Sequence, residues 1–165
     1  MLKKTVLVMG LAAMYGVAMA ESQNFDVSVT ATVPTDTFYV SANGWDPSQV
    51  QTMGWNHLAE RINPLQRNLD MKSTVGDITA YLINSPELSS GTALLPLTVT
   101  VNSKSLKEGV ANAEVVMNAA DAAIGGVVPM VVSADQKDRP EGGVYTGTVQ
   151  MLFESVPVET PGTTR

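Results

Sequence analysis

Residues 24–34 read Asn24-Phe-Asp-Val-Ser-Val-Thr-Ala-Thr-Val-Pro34. Phe25, Val27, Val29, Ala31 and Val33 alternate with Asp26, Ser28, Thr30 and Thr32, and a proline stands only at the end. Strict period two in β-branched residues specifies a strand with one apolar and one polar face. A strand this regular near a free terminus can fill a sheet edge, in its own domain or in a neighbour. The remainder of the chain bears on which.

The stretch follows a leader. Lys3 and Lys4 precede a mostly apolar run over residues 5–17, and Ala18-Met19-Ala20 is a small-x-small cleavage site. This pattern predicts a signal peptide over residues 1–20, cut after Ala20. The apolar run is shorter than the roughly 20 residues that a spanning helix needs. The mature chain would begin at Glu21. The formal net charge of the whole sequence is −6, and loss of Lys3 and Lys4 makes it more negative still. Such an acidic chain cannot bind nucleic acid by neutralising phosphates. There is no cysteine. An exported chain could have used disulfides, so its core must hold without them, and thiolate metal sites are excluded.

Downstream, strands are predicted over residues 37–41, 65–74, 78–83, 93–102, 127–134 and 144–154, with a further short one at Val115-Val116-Met117. Leu65, Leu69 and Met71 share one face of their strand. Leu95, Leu97, Val99 and Val101 do so in theirs, where Pro96 argues for an edge position or a strand start. The last strand places Tyr145, Gly147, Val149, Met151 and Phe153 on one face. Residues 45–64 show partial helical spacing in Trp45, Met53, Trp55, Leu58 and Ile62. Gly54 and Pro64 confine it to a loop with a short helical piece. Turn signals separate the strands, and the tail 155–165, with two prolines and a glycine, is predicted to be loose. Many short strands without a long helix specify an antiparallel β-sandwich.

Catalytic chemistry finds few groups. His57 is the single histidine, so neither a Cys–His pair nor a multi-histidine zinc site can be assembled. No G-x-S-x-G motif and no glycine-rich phosphate loop occur. The acids are scattered, as on a solvated surface. Trp45, Trp55 and Tyr39 could line a sugar platform. The better reading has the two tryptophans capping the open end of the sandwich core. No enzymatic activity, cofactor or metal is expected.

The order of motifs resembles a known family. A leader precedes a V-x-V-x-A-x-V strand ending in proline (Val27, Val29, Ala31, Val33, Pro34). Ile83-Asn-Ser-Pro-Glu-Leu88 follows a mid-chain strand, and Met130-Val-Val-Ser-Ala134 precedes a Pro/Gly loop. The last strand carries Gly143, Tyr145, Gly147, Val149, Met151 and Phe153, and cysteine is absent throughout. This resembles the major pilin of CS1/CFA/I-type fimbriae, the alternate (class 5) chaperone–usher family, over residues 25–154. The first and last strands match best, and residues 43–72 only loosely.

The resemblance implies an immunoglobulin-like antiparallel β-sandwich lacking its last strand, completed by donor-strand exchange. It implies a signal peptide (1–20), an N-terminal donor strand (21–34), an incomplete pilin domain (35–154) and a flexible tail (155–165). The donor side chains would be Phe25, Val27, Val29, Ala31 and Val33. Ala31, the smallest, would meet the shallowest pocket. The acceptor groove, also the chaperone-binding surface, would be Tyr145, Gly147, Val149, Met151 and Phe153, with Gly147 allowing close approach of the incoming strand. Implied partners are identical subunits in a homopolymer, a periplasmic chaperone, an outer-membrane usher and a minor tip adhesin. The implied route is export through the periplasm to an extracellular fimbrium that supports adhesion. The competing expectation is a self-contained secreted sandwich that binds carbohydrate or protein, with residues 24–34 as its own first strand. The tail and the two-tryptophan region 43–64 depart from the family pattern.

Overall fold

Alternation becomes strand wherever a second strand lies alongside. In this computed structural model, which describes residues 37–91 and 93–157, the elements are β1 (Phe38–Asn43), β2 (Trp55–Asn56), β3 (Arg61–Ile62), β4 (Leu65–Ser73), β5 (Gly76–Leu82), β6 (Glu87–Ser90), β7 (Ala93–Val101), β8 (Lys104–Ser105), a 3-10 turn (Val110–Asn112), β9 (Glu114–Met117), α1 (Ala119–Ile124), β10 (Gly126–Ala134) and β11 (Met151–Pro157). All lie within one compact unit. The signal peptide, the donor-strand residues Phe25, Val27, Val29, Ala31 and Val33, and residues 158–165 lie outside the described residues.

Two antiparallel sheets face one another. The larger has the order β1-β4-β10-β7-β6, with β8 on β7; the smaller is β11-β5-β9. Between them, Leu69 and Met71 of β4, Leu97, Val99 and Val101 of β7, and Val128, Met130 and Val132 of β10 meet Ile78, Ala80 and Leu82 of β5 and Val116 of β9. Each large apolar side chain buried there contributes about 1.5–3 kcal/mol. The fold is the expected β-sandwich. The β7–β8 hairpin turns on Asn102 and Ser103, both at positive φ, as a two-residue turn matched to strand twist requires. Gly76 is buried at the start of β5, and a Cβ there would overlap the Val156 carbonyl of β11. A side chain there would push the end of β11 away from β5.

Four local expectations change. Residues 45–64 hold no helical piece: β2 and β3 form a small hairpin, with Trp55 opposite Ile62. Leu58, which completed the helical spacing, is 97% exposed. The strand predicted over 144–154 is interrupted, and its regular part, β11, begins only at Met151. That strand then continues to Pro157, so Ser155, Val156 and Pro157 belong to the sheet and not to the tail. Pro96 sits inside β7, between β6 and β10. Its carbonyl accepts from Asp135 N–H just past the end of β10. Its missing donor therefore faces the point where the partner strand runs out, which a mid-sheet proline needs.

Candidate functional site

Among the described residues, one flank of the sandwich is bridged and the other is open. On the bridged flank, where β9 is itself a sheet edge, Asn102 after β7 donates through Nδ2 to the Val116 carbonyl of β9, 2.7 Å away. On the open flank stand β1, which pairs with β4 alone, and β11, which pairs with β5 alone, among the described residues. They border the same flank: the Ser155 Oγ of β11 lies 2.5 Å from the Ser73 Oγ of β4, and Ser73 is the register partner of Phe38. Each of these two strands has one row of backbone groups without a strand partner there.

The side chains along this seam are apolar and only half-covered. Phe38, Val40 and Ala42 lie opposite Ser73, Met71 and Leu69, so they face the core. Val149, Met151 and Phe153 face it from the other wall. Phe38, Val40, Val149, Met151 and Phe153 pack against the core cluster without being buried in it. An unpaired edge beside half-covered apolar side chains is a template for an added strand.

The predicted groove residues divide at Val149. Val149, Met151 and Phe153 line the seam. Tyr145 and Gly147 lie upstream, where the chain leaves β5 and runs beside β6: Ser89 N–H donates to Thr146 O (2.8 Å) and Thr146 N–H to Ser89 O (3.0 Å). Backbone groups of alternate residues in an extended chain point to opposite sides, so those of Tyr145 and Gly147 point away from β6. A Cβ on Gly147 would overlap the Glu87 carbonyl. The close approach that glycine permits here is therefore to the chain's own β6.

Beside this stretch opens a cleft of about 720 Å³, whose lining includes Val50, Trp55, Leu88 of β6, Val144, Tyr145 and Gly147. Arg139 lies 5.9 Å from the centroid of the Trp55 ring and pairs with Glu60 at 3.0 Å. The turn leading to Val50 is set by Asp46. Its carboxylate accepts from the Ser48 hydroxyl (2.7 Å) and backbone N–H (2.8 Å), which hold it below the ordinary carboxylate value. The tryptophans part company. Trp45 packs on the core and donates through Nε1 to Asn68 O, whereas Trp55 lines the cleft. Tyr39, opposite Lys72 on β1, alternates with the core-facing Phe38 and Val40. The three aromatics thus form no common platform.

His57 is exposed in the β2–β3 turn, and among the described residues no cluster of three or more His, Asp or Glu side chains could hold a metal. The sequence reading did not assign the β1 wall. Its signal was the alternation of Phe38, Val40 and Ala42. The part of Val50, Trp55 and Leu88 in the cleft left no local signal, since it depends on which segments meet.

Together these features define an all-β domain with one flank that is open among the described residues. The CS1 type fimbrial major subunit family model matches residues 23–154, and the chain belongs to that family. It is a pilin: a structural subunit of a polymeric surface fibre and not an enzyme. No curated protein matches it by sequence. The fold is similar to that of the CooA pilin subunit from enterotoxigenic Escherichia coli, with a TM-score of 0.53 at 15% identity, covering 70% of this chain and 86% of that one.

Proposed function

We propose that this pilin polymerises head to tail by donor-strand complementation. Residues 21–34 of one subunit would fill the seam between β1 and β11 of the next. The observation that carries this reading is the pair of unpartnered edges flanking half-covered apolar side chains, matched by the five alternating apolar residues of 24–34. Burial of Phe25, Val27, Val29 and Val33 at about 1.5–3 kcal/mol each, with main-chain hydrogen bonds along β11, would make a long-lived joint. The contact is heterologous and does not close, so it builds a fibre.

A subunit with its seam empty exposes an apolar edge that invites aggregation. A periplasmic chaperone would cover it by lending a strand, after removal of the leader 1–20, and an outer-membrane usher would exchange that strand for the next subunit's donor. A minor tip adhesin would head the fibre, and the shaft would support adhesion. Residues 35–157 make up the acceptor body, with 158–165 beyond it.

The test is SDS gel electrophoresis of surface protein from the native host, unheated against boiled. A ladder of mature-mass multiples that collapses on boiling is expected, since no disulfide can hold it. Deletion of residues 21–34 should leave chaperone binding and abolish the ladder. A monomer band in both lanes of the intact protein would overturn the reading.

A further inference from the structure

We propose that the cleft beside Trp55 is the joint between successive subunit bodies. Its exposed rim residues Val50 and Val144 receive, from a second copy of this chain, the turn at 73–76 that carries Val75. The inference rests on the donor-strand reading, and the occupant follows from chain length.

The body has two poles. At one, Thr37 begins the described chain, and its carbonyl accepts from Thr74 N–H at 2.8 Å. Thr37 therefore lies beside the turn that carries Val75. The Gly76 end of β5 and the Pro157 end of β11 pair at this pole. The cleft lies at the other pole, where Tyr145 and Gly147 form the far end of the chain that runs into β11. Only Thr35, Asp36 and Thr37 separate Pro34 from β1. Even fully extended, the span from Pro34 to Phe38 is roughly 14 Å. A donor strand lying in the seam therefore brings its own subunit's Thr37 pole close to one end of that seam.

Which end is decided by growth. If Pro34 lay at the Pro157 end, the incoming Thr37 pole would abut the acceptor's own Thr37 pole. Each new subunit would then send its donor back into a joint already occupied by two bodies. With Pro34 at the cleft end, unlike poles meet and every joint is the same, as a head-to-tail filament requires. The donor strand then runs antiparallel to β11, and the incoming turn arrives at the cleft rim. The surface chemistry agrees. Val50 is 94% exposed and Val144 82%, both on the cleft, while Val75 is 48% exposed at the opposite pole. The isolated body leaves much of these apolar side chains to solvent, and the joint covers all three.

The native chain has no cysteine, so introduced cysteines report proximity without background. Fibres of Val75→Cys/Val144→Cys and of Val75→Cys/Val50→Cys, oxidised after assembly, would be boiled in SDS with and without reductant. At least one pair is expected to give multimers that survive boiling and collapse on reduction. The single variants should not, nor should Val75→Cys/Val115→Cys, whose second site lies on β9. Deletion of 21–34 in parallel separates the two readings. Loss of fibres on deletion with no cross-link in either pair overturns the joint and leaves strand donation standing. Fibres that persist on deletion overturn both. A single variant that folds by circular dichroism yet does not assemble supports the joint, because none of the three valines lies on the donor or in the core. Glycan binding by assembled fibres that is lost in Trp55→Ala would overturn it, since the cleft would then be open to solvent in the shaft.

Discussion

β7 and β11 carry the same alternation and end differently. In β7, Leu95, Leu97, Val99 and Val101 are all buried, and Val99 and Val101 completely so. In β11, Met151 and Phe153 face the same core and remain half-covered. Hydrophobicity does not separate them; neighbours do. β7 lies between β10 and the β6 and β8 strands, whereas β11 has β5 alone among the described residues. An apolar side chain in a sandwich is covered by the strands beside it as well as by the sheet opposite. Half-coverage along most of a strand therefore marks a side where, among the described residues, no strand lies alongside.

A buried charge should break the two strands in different ways. Val99→Asp would place a carboxylate in a closed core without a partner, at a cost of several kcal/mol and comparable to the stability of a whole domain. It is expected to yield no cooperative thermal transition by circular dichroism. Met151→Asp should leave a folded body, because its carboxylate can reach water through the seam, but should abolish fibres. Val29→Asp on the donor should do the same with no effect on the body. Equal loss of fold in Val99→Asp and Met151→Asp would erase the distinction drawn between the strands.

Truncation sharpens the contrast. Val99→Ala is expected to cost about 2–3 kcal/mol in monomer and fibre alike, as for a large-to-small core change. Phe153→Ala should cost about 1 kcal/mol in the free body and about 3 kcal/mol or more once the seam is filled. Chemical denaturation of the chaperone-free body against dissociation of fibres reads the difference. A Phe153→Ala penalty that is the same in both states would mean that nothing covers the seam in the fibre.

The contrast also explains what could be read in advance. Period two disclosed β4 and β7, where inward and outward positions differ in residue type. β1, β5 and β10 were legible as short runs rich in apolar and β-branched residues, and in β10 exposed Val127 beside buried Val128 shows that residue type alone does not give the sense. Neither pattern could disclose partners. The chain over 144–154 looks like one strand, yet Thr146 pairs with β6 of one sheet and Met151 onward with β5 of the other. That change of sheet is invisible in the alternation. Ser155, Val156 and Pro157 looked like tail because a serine and a proline weaken the pattern. They are held by Gly76, whose missing side chain admits the Val156 carbonyl. The apparent helical spacing at 45–64 mixed Trp45, which packs beneath Asn68, with a Trp55–Ile62 cross-strand pair and a fully solvated Leu58. On the seam, Val149, Met151 and Phe153 were legible from the last strand. The β1 wall and the cleft depend on long-range contacts and were not.

Gly76→Ala should act at the edge of the contrast. The added Cβ would displace Val156, so β11 should fray from its C-terminal end at a cost of about 2 kcal/mol, within the range for overpacking. Amide exchange is expected to quicken over Ser155 and Val156 while β7 stays protected. Uniform loss of protection in both strands would show that β11 is not an independently opening edge.

The smallest expected effect concerns the latch that shuts the seam at one end. Ser73 Oγ accepts from Val75 N–H and Gly76 N–H, each at 3.2 Å. With both lone pairs engaged, its own proton is free to point at Ser155, so Ser73 donates and Ser155 accepts. Ser155→Ala leaves one hydroxyl donor without a partner, and Ser73→Ala leaves two backbone donors without theirs. A buried unsatisfied donor costs about 1–3 kcal/mol and a net hydrogen bond about 0.5–1.5. Ser155→Ala, at a site partly open to water, should therefore cost about 1 kcal/mol and Ser73→Ala about 2. Both are to be measured by urea denaturation of the free body. The order matters more than the size. Ser155→Ala as the costlier change would mean that Ser155 is the donor and that the turn carrying Val75 does not depend on Ser73. Equal costs would mean that the latch is the only bond that counts, and that β11 is held to β4 more firmly than a half-finished edge should be.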